Sequence, residues 1–298
     1  MLVWLNGRVV DARAARVSAL DRGLLHGDGV YDTWRTYDGR PFALAAHLRR
    51  LAAAARRLEL PPPGASAAWA ARTRTLLRRS GLADGAARLT ITRGDAGVGP
   101  SPEGSHRPTI LLTIRPLPAD LVRRQERGTV ATLLPFGRDA GAEWGDVKVV
   151  GHASAVLGRV IATRRRADEG LYVTPGGIVS EGTASNLFVV ERGRIVTPPA
   201  DGSILPGVTR DLVLRLAKRR RLVVREATID VPRLMAADEV FVTASTIEIV
   251  PVVRIDRRRI GRGTPGPLTR ALQHAYADTV HRAIRARTNA PGSEDRRR

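Results

Sequence analysis

The residue in this chain best suited to covalent chemistry is Lys148. Lysine and arginine together number 49, and only Lys148 and Lys218 are lysine. Arginine stays protonated in proteins, whereas a desolvated lysine amine can lose its proton and attack a carbonyl. Lys148 lies in Val147-Lys148-Val149-Val150-Gly151-His152, among apolar neighbours, where an amine either snorkels from a strand end or is kept as a nucleophile. Lys218 belongs to the basic run Ala217-Lys218-Arg219-Arg220-Arg221 at the expected end of a helix, where a cation complements the helix dipole.

Other candidates follow downstream. Glu181 opens Glu181-Gly182-Thr183-Ala184-Ser185-Asn186-Leu187-Phe188; by itself such an acid reads as an exposed turn residue. Gly207 precedes Val208-Thr209-Arg210 where a helix should begin, so unpaired N–H groups and the Thr209 hydroxyl either hold a phosphate or form an ordinary helix start. Ser245 and Thr246, in Thr243-Ala244-Ser245-Thr246-Ile247-Glu248, add hydroxyls of a kind also common in turns. The absence of cysteine excludes disulfides, thiolate catalysis and cysteine metal sites. There is no Gly-x-x-x-x-Gly-Lys phosphate loop, no His-Glu-x-x-His zinc pair and no Gly-x-Ser-x-Gly elbow.

The stretch 181–210 resembles the signature of the class IV aminotransferases, the fold type IV enzymes of pyridoxal phosphate. Asp21-Arg22-Gly23, His26-Gly27-Asp28-Gly29-Val30-Tyr31 and His47-Leu48-Arg49-Arg50-Leu51 extend the resemblance through the N-terminal half, so that it covers most of 2–280. It implies that Lys148 forms a Schiff base with pyridoxal 5'-phosphate and shuttles the substrate's proton. Glu181 would face the pyridine nitrogen and keep the ring protonated, so that the ring accepts electrons from the substrate. Arg50 would pair with the cofactor phosphate, Leu205 would pack on a ring face, and Val208 and Thr209 would offer backbone amides. Ser245 and Thr246 resemble a second phosphate loop.

Tyr31 matches a tyrosine that lines the substrate side, or else packs in the core as a strand residue. Many relatives carry tyrosine or asparagine where this chain has His152 and Ala153; His152 either replaces that group near the cofactor's phenolic oxygen or is structural. Val98 and Pro100 stand where D-amino acid enzymes use arginine and histidine to grip the substrate carboxylate, which weakens a strict D-amino acid reading. The implied activity is transfer of an amino group between an amino acid, of branched-chain or D-amino acid type, and a 2-oxo acid, by a homodimer. The alternative is a lyase of the same fold, 4-amino-4-deoxychorismate lyase, which eliminates pyruvate to give 4-aminobenzoate; the glycine-rich 94–99 suits it.

The elements that must position these residues alternate. Strands are expected over 2–5, 8–10 and 30–37, helices over 45–58 and 66–79, and strands over 87–93 and 109–115 around a loop at 94–108. Polar 118–128 reads as a linker. Beyond it come strands near 129–134, 171–174 and 178–180, a hairpin around Glu191-Arg192-Gly193, helices at 154–167, 209–220 and 268–286, and strands at 222–225, 239–243 and 247–254. The expected fold class is α/β (α+β): a small N-terminal α/β domain (1–117), the linker (118–128), a larger C-terminal pseudo-barrel domain that binds the cofactor (129–287) and a disordered tail (288–298).

A length of 298 residues with 43% hydrophobic content supports two such cores. The net charge of +20 raises nucleic acid as a partner, but the arginines are dispersed, and the clusters at 164–166, 218–221 and 257–259 carry no interleaved aromatics, so no specific nucleic-acid partner is expected. The start lacks a basic segment followed by an apolar core, and no apolar run approaches a membrane span; a cytoplasmic protein is expected.

Overall fold

The computed structural model describes residues 1–103, 107–138 and 144–286, so the expected tail at 288–298 lies outside the described residues. Strands β1 (Leu2–Leu5) and β2 (Arg8–Asp11) form a hairpin across Asn6-Gly7, both with positive φ, as a tight turn matched to strand twist requires. A short helix α1 (Arg22–Leu25), capped by the Asp21 carboxylate, leads into β3 (Gly29–Tyr37) and β4 (Arg40–Pro41). Helices α2 (Leu44–Arg57) and α3 (Ser66–Arg79) follow, then β5 (Ala86–Asp95) and β6 (Arg107–Arg115). These strands form one six-stranded antiparallel sheet in the order β2-β1-β6-β5-β3-β4.

Helix α2 buries Leu44, His47, Leu48, Leu51, Ala54 and Ala55, a spacing of three and four that gives the helix one packed stripe. That stripe meets Trp34 and Leu89 of the sheet and Leu76 of α3 in one core. The loop expected at 94–108 is shorter than its composition suggests, because pairing resumes at Asp95 and Arg107 after a bulge beyond Thr92. The expected linker contains helix α4 (Leu121–Arg127), anchored by buried Leu121 and by Asp120, which accepts from Arg123 and Arg124. A single apolar anchor gives no visible periodicity, so the segment reads as a linker.

The second half comprises β7 (Thr129–Leu133), α5 (Ala153–Arg164), β8 (Glu169–Val173), β9 (Ile178–Gly182), β10 (Asn186–Glu191), β11 (Arg194–Thr197), α6 (Val208–Arg219), β12 (Val224–Glu226), β13 (Ile229–Asp230), α7 (Val231–Met235), β14 (Glu239–Ala244), β15 (Glu248–Ile255), β16 (Arg258–Arg259) and α8 (Pro267–Ala286). Its ten-stranded sheet runs β10-β14-β15-β7-β8-β9 and returns to β10 where Asn186 pairs with Glu181, which closes a barrel. Closure leaves no open edge along that ring. Strand alternation separates two cores: Leu187 and Val189 join Leu171, Val179 and Val242, while Phe188 and Val190 join Leu212, Leu216 and Leu272 of α6 and α8. No helix among the described residues is long and apolar enough to cross a membrane.

Phe188 and Phe241 stack with centroids 4.8 Å apart and planes 6° apart, both fully buried between the barrel and its helices. Phe188→Ala is expected to lower unfolding stability by about 3–5 kcal/mol, through lost transfer energy and the cavity left behind. Equilibrium denaturation in urea measures it, and a loss below about 1 kcal/mol would count against this packing.

Candidate active site

Lys148 follows β7 in sequence but attaches to the other sheet. The Tyr31 N–H donates to the Lys148 carbonyl (2.9 Å), the Val150 N–H donates to the Gly29 carbonyl (2.8 Å), and Val30 bridges Val149. Buried Val147 drives this attachment by packing into the core of the N-terminal sheet. The backbone of the lysine is thereby fixed, and its Nζ donates to the Tyr31 hydroxyl at 3.1 Å, 4.5 Å from the ring centroid. Both groups face a cavity of about 790 Å³ between sheet and barrel, and every candidate site residue read from the sequence lines it. Such a volume suits a cofactor with a small substrate.

Glu181, 4% exposed, lies on the cavity lining at the seam where the barrel closes. Its carboxylate accepts from the Asn186 side-chain amide (3.0 Å), from the Leu205 N–H (3.2 Å) and from Arg138. Burial pushes its pKa up to about 7, against the opposing pull of Arg138, the Leu205 amide and Lys148. The turn acid of the sequence reading is therefore a desolvated group on strand β9. Asn186 also donates to the Leu205 carbonyl at 2.8 Å, tying the loop before α6 to the barrel.

Helix α6 begins on the same lining at Gly207 with no side-chain cap, which leaves its first N–H groups without a capping side chain. A Cβ at Gly207 would come within 2.0 Å of the Asn186 Oδ1, so only glycine permits this approach. Arg50, from α2, forks onto Asp32 through Nε and Nη2, both at 2.8 Å, and its Nη1 donates to the Pro206 carbonyl at 3.0 Å. Asp32 is fully buried, and Arg50 and His47 hold its carboxyl well below the usual range against the effect of burial. Ser245 and Thr246 close the cup from the turn between β14 and β15, beside Thr243, whose buried hydroxyl has no partner. A guanidinium, an uncapped helix start and several hydroxyls are groups that can hold a phosphate. Together with the Lys148 amine and the Glu181 carboxylate on the same cavity, which Leu205 also lines, the donor set fits pyridoxal phosphate.

His152 sits edge-on to Tyr31, with centroids 4.9 Å apart, and its buried Nε2 has no hydrogen-bond partner. Burial, followed by Lys148, Arg88 and Arg138, pulls its pKa down to about 4, so the ring is neutral near pH 7. Ala153 supplies only the first residue of α5. The sequence reading passed over Arg88, Arg115 and Arg138, which line the same cavity. Arg88 interrupts the buried run Ala87, Leu89, Ile91 on β5, and that alternation was the available signal. Asp32 and Asn186 were passed over as well, since nothing local marks their burial. Among the described residues no group of histidine, cysteine and carboxylate side chains forms a metal site.

Comparison with known proteins gives matches along most of the chain. A family described as "Amino-transferase class IV" matches residues 29–255. The branched-chain-amino-acid aminotransferase of Escherichia coli K12 is 31% identical over 281 residues, 92% of this chain and 91% of that protein. The D-alanine aminotransferase of Bacillus licheniformis is 31% identical over 286 residues, 94% of this chain and 97% of its own. The crystal structure of the T.th. branched-chain amino acid aminotransferase with pyridoxamine 5'-phosphate superposes with a TM-score of 0.84 at 29% identity, covering 94% of this chain and 93% of that one.

The raised pKa of Glu181 sets a sign for stability in the cofactor-free protein. A carboxyl whose folded pKa exceeds its unfolded value stabilises the fold below the unfolded pKa, and that contribution is lost as pH rises through the folded value. Stability is therefore expected to decline as pH rises from the ordinary carboxylate range through about 7. Glu181→Gln should flatten this part of the profile; urea unfolding at a series of pH values tests it, and an unchanged slope in the variant would refute the assignment.

Proposed function

We propose, from the premise that this chain belongs to the class IV aminotransferase family, that Lys148 is the residue on which its amino transfer depends. The enzyme is an aminotransferase of the branched-chain or D-amino acid type, and its cofactor is pyridoxal 5'-phosphate. When bound, that cofactor supplies the aldehyde that captures an amine and the ring that accepts electrons from the substrate's α-carbon. The single observation that carries the reading is that one amine, Lys148, lines the same cavity as Glu181 and the residues of the phosphate cup.

Each residue then has a task. Lys148 Nζ would hold the cofactor and serve as the base and acid for the substrate's α-proton; the Tyr31 hydroxyl at 3.1 Å keeps the amine in place. Glu181, beside Arg138, would face the cofactor's ring nitrogen and favour its protonated form. Arg50, the α6 N-terminus, Ser245 and Thr246 hold the phosphate, with Asp32 fixing the fork of Arg50. Neutral His152 offers its free Nε2 to the cofactor's phenolic side.

For the substrate we favour a carboxylate held by Arg88. Its guanidinium lies 3.7 Å over the Tyr31 ring on the sheet side of the cavity, and no carboxylate among the described residues pairs with it. A charge so placed is satisfied by a substrate's anion. Val98 and Pro100 leave the neighbouring loop without a gripping cation, which favours the branched-chain type. We take the working form to be a homodimer of two-domain chains divided at 118–128. Val156 and Val160 stay 62% and 40% exposed on the α5 rim of the cavity, Leu24 of α1 is 71% exposed, and a second copy would cover them.

Mixing the yellow enzyme with branched-chain L-amino acids or D-alanine should convert it to the amine form, and 2-oxoglutarate or pyruvate should restore it. Failure with every donor would sink the reading. Lys148→Arg, which keeps the charge, is expected to cut turnover by more than about 10⁴-fold with the fold intact by circular dichroism. Arg88→Leu should raise KM for the 2-oxo acid by roughly 10–100-fold, the cost of one charge-assisted pair, with a smaller change in kcat. Steady-state kinetics decides, and an unchanged KM would exclude Arg88 from substrate binding.

A further inference from the structure

Behind the phosphate cup runs a line of buried polar contacts that joins its two walls. Arg50 forks onto Asp32, Asp32 accepts from His47 Nδ1 at 2.9 Å, and His47 Nε2 lies 3.3 Å from the Ser245 hydroxyl. His47 is 1% exposed and Asp32 fully buried, so the bond between these two is shielded from bulk solvent. The proton count along this line is constrained. An ionised carboxylate only accepts, so Nδ1 carries a hydrogen and a neutral His47 presents a bare Nε2. Ser245 then has to donate its one proton to Nε2.

A phosphate entering the cup is also an acceptor and needs that same proton from Ser245. Giving it away leaves the lone pairs of Nε2 and Ser245 Oγ facing each other in a buried site. Charge runs the same way. Asp32 and Arg50 cancel each other before the phosphate arrives, and a dianion then adds two negative charges beside them.

We propose, resting on the reading of this cup as the cofactor's phosphate site, that His47 takes up one proton when the phosphate binds and becomes a doubly protonated link between Asp32 and Ser245. One N–H bond forms at Nε2 with a proton from bulk water, the new N–H donates to Ser245 Oγ, and the Ser245 hydroxyl turns to donate to the phosphate. No other bond changes. His47 thereby acts as a positioning residue that couples cofactor affinity to pH.

The surroundings of His47 agree with a neutral ring beforehand. From β3 it meets Asp32 and the Trp34 ring, 6.5 Å away; Arg50 faces it from its own helix, Lys148 from across the cavity and Ser245 from the turn after β14. On the far side a cavity of about 260 Å³ places Arg35, Arg215, Arg219 and Tyr276 around it. Burial, Arg50 and Lys148 lower its pKa, and Asp32 alone opposes them. Glu248 balances Arg35 and Asp211 balances Arg215, so among the described residues Asp32 is the carboxylate in contact with His47, and an added anion shifts the balance toward a protonated ring.

The test uses histidine labelled with ¹⁵N in the full chain at pH 8, with and without pyridoxal phosphate. The chain has six histidines, and the His47 signals are those missing from His47→Asn. One bare and one protonated nitrogen are expected without cofactor, and two protonated nitrogens with it. A bare nitrogen that persists in the loaded protein would overturn the proposal. If His47→Asn does not fold, Ser245→Ala identifies the same signals by their shift and should leave His47 neutral after loading; protonation in that variant would also refute the link. Loading is read from the visible band, so a chain that never colours defeats the aminotransferase reading, whereas a coloured chain with neutral His47 defeats this inference alone.

Discussion

A desolvated carboxylate is tolerated only where donors surround it, and Glu181 meets that condition at the seam of the barrel. The strand pairing that closes the barrel is the pairing of Glu181 with Asn186, and the Asn186 side chain turns back to the same carboxylate. Its second bond, to the Leu205 carbonyl, fixes the loop that starts α6, and its oxygen sits where any side chain on Gly207 would be. One amide therefore ties the acid to the start of α6, both on the cavity lining. Barrel closure and the shape of this part of the cavity are thus one constraint.

The amine on this cavity comes from elsewhere. Lys148 belongs by hydrogen bonding to the N-terminal sheet, so the site exists only while sheet and barrel are docked. Polar contacts make that docking specific: the Tyr37 hydroxyl donates to Glu248 at 2.6 Å, Arg35 lies 2.9 Å from the same carboxylate, and Gln125 donates to its other oxygen at 3.0 Å. Glu248 holds a left-handed backbone (φ 61°) at the end of the turn that carries Ser245 and Thr246. Strain of this kind persists where surrounding contacts over-determine it, and here the contacts run between the two halves. Arg50 adds a further crossing, from α2 to the Pro206 carbonyl.

How far this was legible in the sequence depended on whether a signal was local. Strand and helix periodicity is local, and the longer elements of both halves, α4 apart, fall within a few residues of their expected places, whereas the short α1, β4, β13, α7 and β16 carry too few residues to show a period. The rarity of lysine and the run from Glu181 to Arg210 are also local, and they pointed to residues that the fold gathers in one cavity. The burial of Glu181 was not legible, because its neighbours Gly182, Thr183 and Ser185 read as a turn and only barrel closure desolvates them. Asp32 was hidden for the same reason, its partners being 15 and 18 residues away on another element. Helix α4 escaped notice because a polar helix with one anchor has no periodicity to detect.

The arginine-rich composition takes on chemical meaning inside the cavity. Arg50, Arg88, Arg115, Arg138, Arg159 and Arg164 all line it; Asp32, Glu181 and Glu169 pair with three of them, and the others leave the cavity with a positive charge suited to anions. Had lysines supplied that charge, several amines would have competed for one aldehyde. Guanidinium groups supply the field and the hydrogen bonds without that reactivity, because they keep their protons. Lys218 lies near the end of α6, outside the cavity lining, so Lys148 is the sole lysine there. The same substitution habit that made Lys148 conspicuous in the sequence leaves the cavity with a single side-chain amine.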